Sequence, residues 1–101
     1  MVLEKHIKLS HGSAKICKMP GVGCYLMSIF VEEDYRNKGT GTLLMEKALQ
    51  QCGRPLYLLV TDELGGNVER LTQFYRRFGF VDYKQKQSDG LWYNANMVLW
   101  E

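Results

Sequence analysis

Apolar positions along this chain follow periods that switch between about two and about 3.6 residues, and each switch marks an element. Val2–Ser10 alternates imperfectly through Val2, Ile7 and Leu9 and reads as a weak strand. Gly12-Ser13 marks a turn, and Ala14–Met19 is a second strand ended by Pro20-Gly21, so the two form a hairpin. "CYLMSIFV", Cys24 to Val31, is apolar almost throughout, as expected of a strand covered on both faces. From Gly39 to Cys52 the period lengthens. Leu44 and Ala48 share one line with Gln51, and Met45, Leu49 and Cys52 lie beside it, which predicts an amphipathic helix stopped by Gly53 and Pro55.

Leu56–Thr61, "LYLLVT", is the next buried strand, and strand, helix and strand make a parallel βαβ unit. Gly65-Gly66 forms a loop, Asn67 is a helix N-cap, and Leu71, Phe74, Tyr75 and Phe78 recur at helical spacing up to Gly79. Phe80–Gln85 and Leu91–Trp100 read as strands around the turn "QSDG". The predicted order is β-β-β-α-β-α-β-β, an α/β (α+β) domain with a mixed sheet and two main helices.

A length of 101 residues confines the chain to one domain. With 46% hydrophobic and 24% charged residues it is suited to a packed core, and a net charge of +2 is too small to argue for nucleic acid. Cys17, Cys24 and Cys52 are odd in number and form no CxxC pair, and His6 and His11 are the only histidines. A disulfide framework, a zinc site or a histidine-based triad therefore lacks members, and no metal is expected. No signal-peptide pattern or membrane-length apolar run occurs, so the expectation is a cytoplasmic protein with no membrane contact.

The segment "FVEEDYRNKGTGTLL", Phe30 to Leu44, joins the central strand to the first helix. Amides at a helix start lack intrahelical partners and the helix dipole adds partial positive charge. Gly39 and Gly41 admit a ligand close to the backbone, and Arg36 and Lys38 add full charges. The chemistry points to an anion, most simply a phosphate. Neither GxxxxGK[ST] nor GxGxxG is present; the pattern is R-x-x-G-x-G.

Two segments extend this. "VEEDYRNKGTG", Val31 to Gly41, resembles the first signature of the GNAT superfamily of acyl-CoA-dependent N-acetyltransferases, with Glu33 where proline is common. "YRRFGF", Tyr75 to Phe80, resembles its second. The resemblance implies a sheet splayed where the strands ending in Val31 and Thr61 diverge, with acetyl-CoA as co-substrate in the gap. It implies that backbone groups of Ile29, Phe30 and Val31 bind the pantetheine arm. The backbone from Arg36 through Asn37, Lys38, Gly39, Thr40 and Gly41 to Thr42 would cradle the pyrophosphate. Tyr75 would protonate the departing thiolate, although it also fits the apolar stripe of its helix. Asn67 would reach the coenzyme; its spacing from Tyr75 is one residue longer than in relatives, a helix rotation of roughly 100°, so a pure cap role is equally open.

An amine with a pKa of about 10.4 needs a base, and the central strand carries no carboxylate. Glu32, Glu33 and Asp34 read as a solvated turn; Asp62 and Glu63 are better placed, and Ser28 could orient water. Cys24 reads as a core thiol, His6 and His11 as surface or hairpin residues, and Arg76 and Arg77 as solvent-facing.

Relative to the family pattern the chain opens at the hairpin, without the strand and two helices that wall the acceptor pocket. The acceptor is thus expected to be an amine on a small molecule, a peptide or protein, or an aminoacyl-tRNA. Trp92, Tyr93 and Trp100 are large for a final strand: either they close the core or they pair copies in a homodimer. Two functions stay open, an N-acetyltransferase acting by direct attack in a ternary complex and a non-catalytic CoA-binding or protein-interaction module.

Overall fold

A computed structural model of the protein describes residues 3–36, 38–61 and 67–101. The alternating N-terminal segment forms β1 (Glu4–Leu9), which turns at Ser10-His11 and returns as β2 (Gly12–Met19). The turn thus falls two residues before the expected Gly12-Ser13, and Gly12 already pairs with Leu9. The apolar run becomes β3 (Gly23–Val31), and a short 3-10 turn over Glu33–Tyr35 leads to α1 (Thr40–Gln51). Then follow β4 (Leu56–Leu58), α2 (Val68–Arg76), β5 (Val81–Asp82) and β6 (Met97–Leu99). Val2, the expected first strand residue, and Gly65 and Gly66, the expected loop, lie outside the described residues.

The strands form one mixed six-stranded sheet in the order β1-β2-β3-β4-β6-β5. β3 and β4 run parallel, as a βαβ unit requires, and the other neighbours are antiparallel. The last three strands are much shorter than their apolar runs. Residues 83–95, in place of an extended hairpin, cross the sheet face and include a 3-10 turn at Gln87–Asp89, the segment read as "QSDG".

Two apolar clusters sandwich the sheet. On one face Leu44, Met45 and Ala48 of α1 and Tyr75 of α2 pack with Ile16, Cys24, Leu26, Leu56, Leu58, Val60 and Phe80. Burying one side chain the size of leucine contributes about 2 kcal/mol, so this cluster dominates the helix–sheet contact. On the other face Met19, Tyr25, Tyr57, Ala95 and Val98 pack under residues 83–95, and the Tyr25 hydroxyl donates to the Asn94 carbonyl at 2.5 Å. Trp92 and Trp100 do not close the core: they are 48% and 51% exposed, and Tyr93 is also exposed. The buried part of the last strand is the consecutive run Met97, Val98 and Leu99.

One glycine has no freedom to change. Gly23 opens β3 at φ 150°, and a Cβ there would lie 2.4 Å from the Pro55 carbonyl oxygen. That oxygen accepts from the Cys24 amide at 2.8 Å and starts the β3–β4 ladder. Gly23→Ala should therefore cost about 2–3 kcal/mol, read as a lower midpoint in urea. Gly53→Ala, where no atom lies within 4 Å of the new Cβ, should stay within about 0.5 kcal/mol of wild type.

Candidate functional site

The β3–β4 ladder holds only at its foot. Its register is Cys24↔Leu56, Tyr25↔Tyr57 and Leu26↔Leu58. Beyond it, no backbone hydrogen bond joins residues 27–31 to residues 59–61. β3 nevertheless continues to Val31, paired on its other side with β2. The sheet is therefore split from Met27 upward, as the resemblance implied.

A bulge sits at the split. Lys15 pairs with Ser28 and Ile16 with Leu26, leaving Met27 as the extra residue. One inserted residue reverses strand parity. Before it, Cys24 and Leu26 face the helices; after it, Ile29 and Val31 do. Backbone direction switches with the side chains. The Glu32 amide donates to the His11 carbonyl on the β2 side at 2.9 Å, so by alternation Phe30 and Ser28 also face β2, while Ile29 and Val31 face the split. Phe30 turns its backbone to β2 and leaves its side chain 54% exposed. The gap-facing groups are those of Ile29 and Val31.

The far wall of the split is the chain after β4, and Asn96 fixes it. Its amide donates to the Leu58 carbonyl at 3.0 Å, its Oδ1 accepts from the Val60 amide at 2.8 Å, and its Nδ2 donates to the Val60 carbonyl at 2.9 Å. Its own carbonyl accepts from the Tyr83 amide at 2.9 Å. No sequence motif marked Asn96. A short polar residue one step before a buried strand is the only signal, and it is common.

At the top of the split the chain turns into α1. Arg36 donates from Nε to the Val31 carbonyl at 3.2 Å, fastening the turn to the strand end. Lys38 Nζ lies 5.7 Å from the centroid of the Tyr35 ring, within cation–π range. Gly39 is the N-cap of α1 at φ 85°, a left-handed conformation that favours glycine. Its carbonyl accepts from the Leu43 amide. No side chain caps α1 and no acid lies in its first turn, so the amides of Thr40, Gly41 and Thr42 have no acceptor among the described residues. α2 is the contrast: Asn67 Oδ1 accepts from the Arg70 amide at 3.0 Å and Glu69 lies in the first turn. Asn67 is therefore an N-cap. The Cβ that Gly41 lacks would point to Phe74, at 3.5 Å, and to Val31, so its small side serves helix packing as much as ligand approach. Asn37 lies outside the described residues.

Tyr75 is 7% exposed, with its ring edge-on to Phe74 and Phe80. Burial pushes its phenol up to about 12. The hydroxyl has no hydrogen-bond partner, yet no partnerless side-chain polar atom is sealed from solvent among the described residues. The ring is thus core, and the oxygen is not sealed from solvent.

Of the remaining candidates, Glu32, Glu33 and Asp34 are exposed, and Ser28 is exposed on the face opposite the helices. Glu32 contacts His11 Nδ1 at 3.0 Å, and the His11 ring stacks on Tyr35. Asp62 and Glu63 lie outside the described residues. Cys24 is fully buried, and a hydrogen bond with the Cys52 thiol lowers its pKa while raising that of Cys52. Arg76 chelates Asp82 at 2.9 and 3.1 Å and Arg77 lies over the Phe74 ring, both exposed.

A family model described as an acetyltransferase (GNAT) domain matches residues 1–82. No curated protein matches the chain. Among solved structures, a GNAT-family acetyltransferase from Staphylococcus aureus Mu50 superposes with a TM-score of 0.68 at 22% identity, over 86% of this chain and 56% of its own. Arabidopsis thaliana Naa50 in complex with the bisubstrate analogue CoA-Ac-MVNAL gives 0.58 at 23%, over 87% and 61%. The anti-CRISPR protein AcrVA5 gives 0.71 at 19%, over 97% of this chain and 98% of its own. The chain thus spans little more than half of the first of these, and identities this low speak for the fold alone. The family-model match over most of the chain, falling on a sheet that splits beside an uncapped helix, places this protein in the GNAT acetyltransferase family.

Proposed function

We propose that this chain binds acetyl-CoA in the β3–β4 split and transfers its acetyl group to an amine by direct attack. The observation that carries the reading is the continuity of unpartnered backbone donors. The amides of Ile29 and Val31 line one wall of the split, and those of Thr40, Gly41 and Thr42 follow at its mouth. A pantetheine arm carries amides that can add to a strand edge, and a pyrophosphate matches the helix start. Lys38 and Arg36 supply positive charge at that end, within the turn read as the cradle with Asn37 and Gly39. Asn67 keeps a side-chain amide donor beyond its capping bond, enough to contact the coenzyme.

In the transfer, the amine lone pair attacks the thioester carbon. The oxyanion takes a hydrogen bond from the Ile29 amide, the first donor above the bulge. As the C–S bond breaks, the Tyr75 phenol gives its proton to the departing sulfur, the amine loses its proton to solvent, and the phenolate takes one back from solvent to close the cycle. Holding the two reactants in one cleft supplies much of the acceleration. A second reading is supported by one observation: no described carboxylate faces the split, and Glu32 is held by His11. On that reading the fold is a CoA-binding or protein-interaction module without turnover.

Calorimetry with acetyl-CoA, followed by mass spectrometry of an amine and peptide panel, separates the readings. Binding with acetylated product supports the first, binding without product the second, and no binding removes both. Tyr75→Phe should lower kcat about a hundredfold, the scale of one general acid, with the Kd for acetyl-CoA within twofold of wild type. An unchanged kcat would remove Tyr75 from the chemistry.

The pH profile gives a further check. A phenol held near 12 stays protonated wherever acceptor amines begin to lose their protons. The value of kcat/KM should therefore rise with pH and show no alkaline downturn below about pH 10. A downturn centred below about pH 9 would assign the acid to another group.

A further inference from the structure

We infer that Asn96 is a positioning residue of the cleft, a peptide mimic that keeps the end of β4 from closing against β3. This rests on the acyl-CoA reading above and adds a residue that neither GNAT signature contains.

The reasoning starts from where β6 leaves the sheet. Met97 is its first strand residue, paired with Leu58. Two residues earlier the backbone has departed: Ala95 is buried in the cluster on the other sheet face, and the Asn94 carbonyl is held there by Tyr25. Val60 would then have no backbone partner on its β6 side. An N–H and C=O left so would gain by rotating toward the nearest edge with free groups, which is β3 above its bulge. Asn96 removes that gain. A carboxamide offers one donor and one acceptor in the geometry of a peptide, and Asn96 uses both on Val60, at 2.8 and 2.9 Å. Its own N–H and C=O tie the same point to Leu58 and Tyr83. All four polar groups of the residue are thus spent on holding β4, β6 and β5 together at the level where the split opens.

The consequence reaches the cleft through strand alternation. With Leu58 and Val60 directed to β6, the carbonyl of Leu59 is directed to β3, where it has no partner among the described residues. It faces the amides of Ile29 and Val31 across the gap. The pantetheine arm needs this edge to stay open. The helix-start amides that take the pyrophosphate are held separately, by Gly39 and by the Arg36 bond to Val31. Asn96 should therefore govern binding of the arm and leave binding of the phosphates alone.

The test compares two probes on the same protein. Acetyl-CoA spans cleft and turn; adenosine 3′,5′-bisphosphate has no pantetheine arm and reads the turn only. Asn96→Ala removes both side-chain bonds and should weaken acetyl-CoA by about tenfold or more while the bisphosphate stays within twofold. Asn96→Asp keeps the acceptor for the Val60 amide, loses the donor and should fall between; it carries the test if Asn96→Ala does not fold. Parallel weakening of both probes, or no change in either, overturns the role of Asn96 and leaves the acyl-CoA reading standing. A wild-type protein that binds neither probe overturns that reading and this inference with it.

Discussion

The proposed site depends on the shortness of one ladder, three residue pairs between β3 and β4 where their apolar runs allow more. β3 and β4 are parallel, apolar and adjacent, and nothing in their composition forbids a longer ladder. They part after Leu26 and Leu58, at the level of the β3 bulge. Met27 bulges and re-phases β3 so that its upper half serves β2 and α1. Asn96 holds the end of β4 on the far side. An open sheet edge inside a domain is normally a liability. Here it lies beside the start of α1, which no side chain caps, and the proposal joins the two sets of donors into one surface.

The energetics divide in the same way. The ladder is packed on both faces: Cys24, Leu26, Leu56 and Leu58 are buried in the main cluster with Ile16, Leu44 and Met45, and Tyr25 and Tyr57 in the other. That packing fixes the angle of the helices on the sheet. The upper half carries fewer buried groups, with Ile29 and Val31 only partly covered. A packed base under an unpaired rim suits the proposed exchange of a long, flexible ligand.

Much of this was legible in the residues. The period change at Gly39 located α1 to within one residue, and the stripe from Leu71 to Phe78 located α2, because helical periodicity survives burial. The R-x-x-G-x-G turn pointed to the start of α1 through its glycines, and the structure has Gly39 there in a left-handed conformation with no side chain capping the helix; the anion it would hold belongs to the proposal. The bulge was not legible: in "CYLMSIFV" every position but one is apolar, so a one-residue phase shift leaves no trace in the pattern. The C-terminal strands are shorter than their pattern because Trp92, Tyr93 and Trp100 look like strand residues, whereas Trp92 and Tyr93 lie on the crossing of the sheet and Trp100 lies past the end of β6, all three exposed. Asn96 escaped notice because its role needs two strands that only the fold brings together. Tyr75 was ambiguous for a physical reason, since its ring belongs to the core and its oxygen does not.

The central claim is that one continuous row of backbone donors grips the coenzyme. Amide-resolved NMR during titration with CoA tests it directly. The account predicts that the resonances of Ile29, Val31, Thr40, Gly41 and Thr42 move together along one saturable binding curve. Shifts confined to the β1–β2 hairpin or to residues 83–95, with those five amides unmoved, would contradict it.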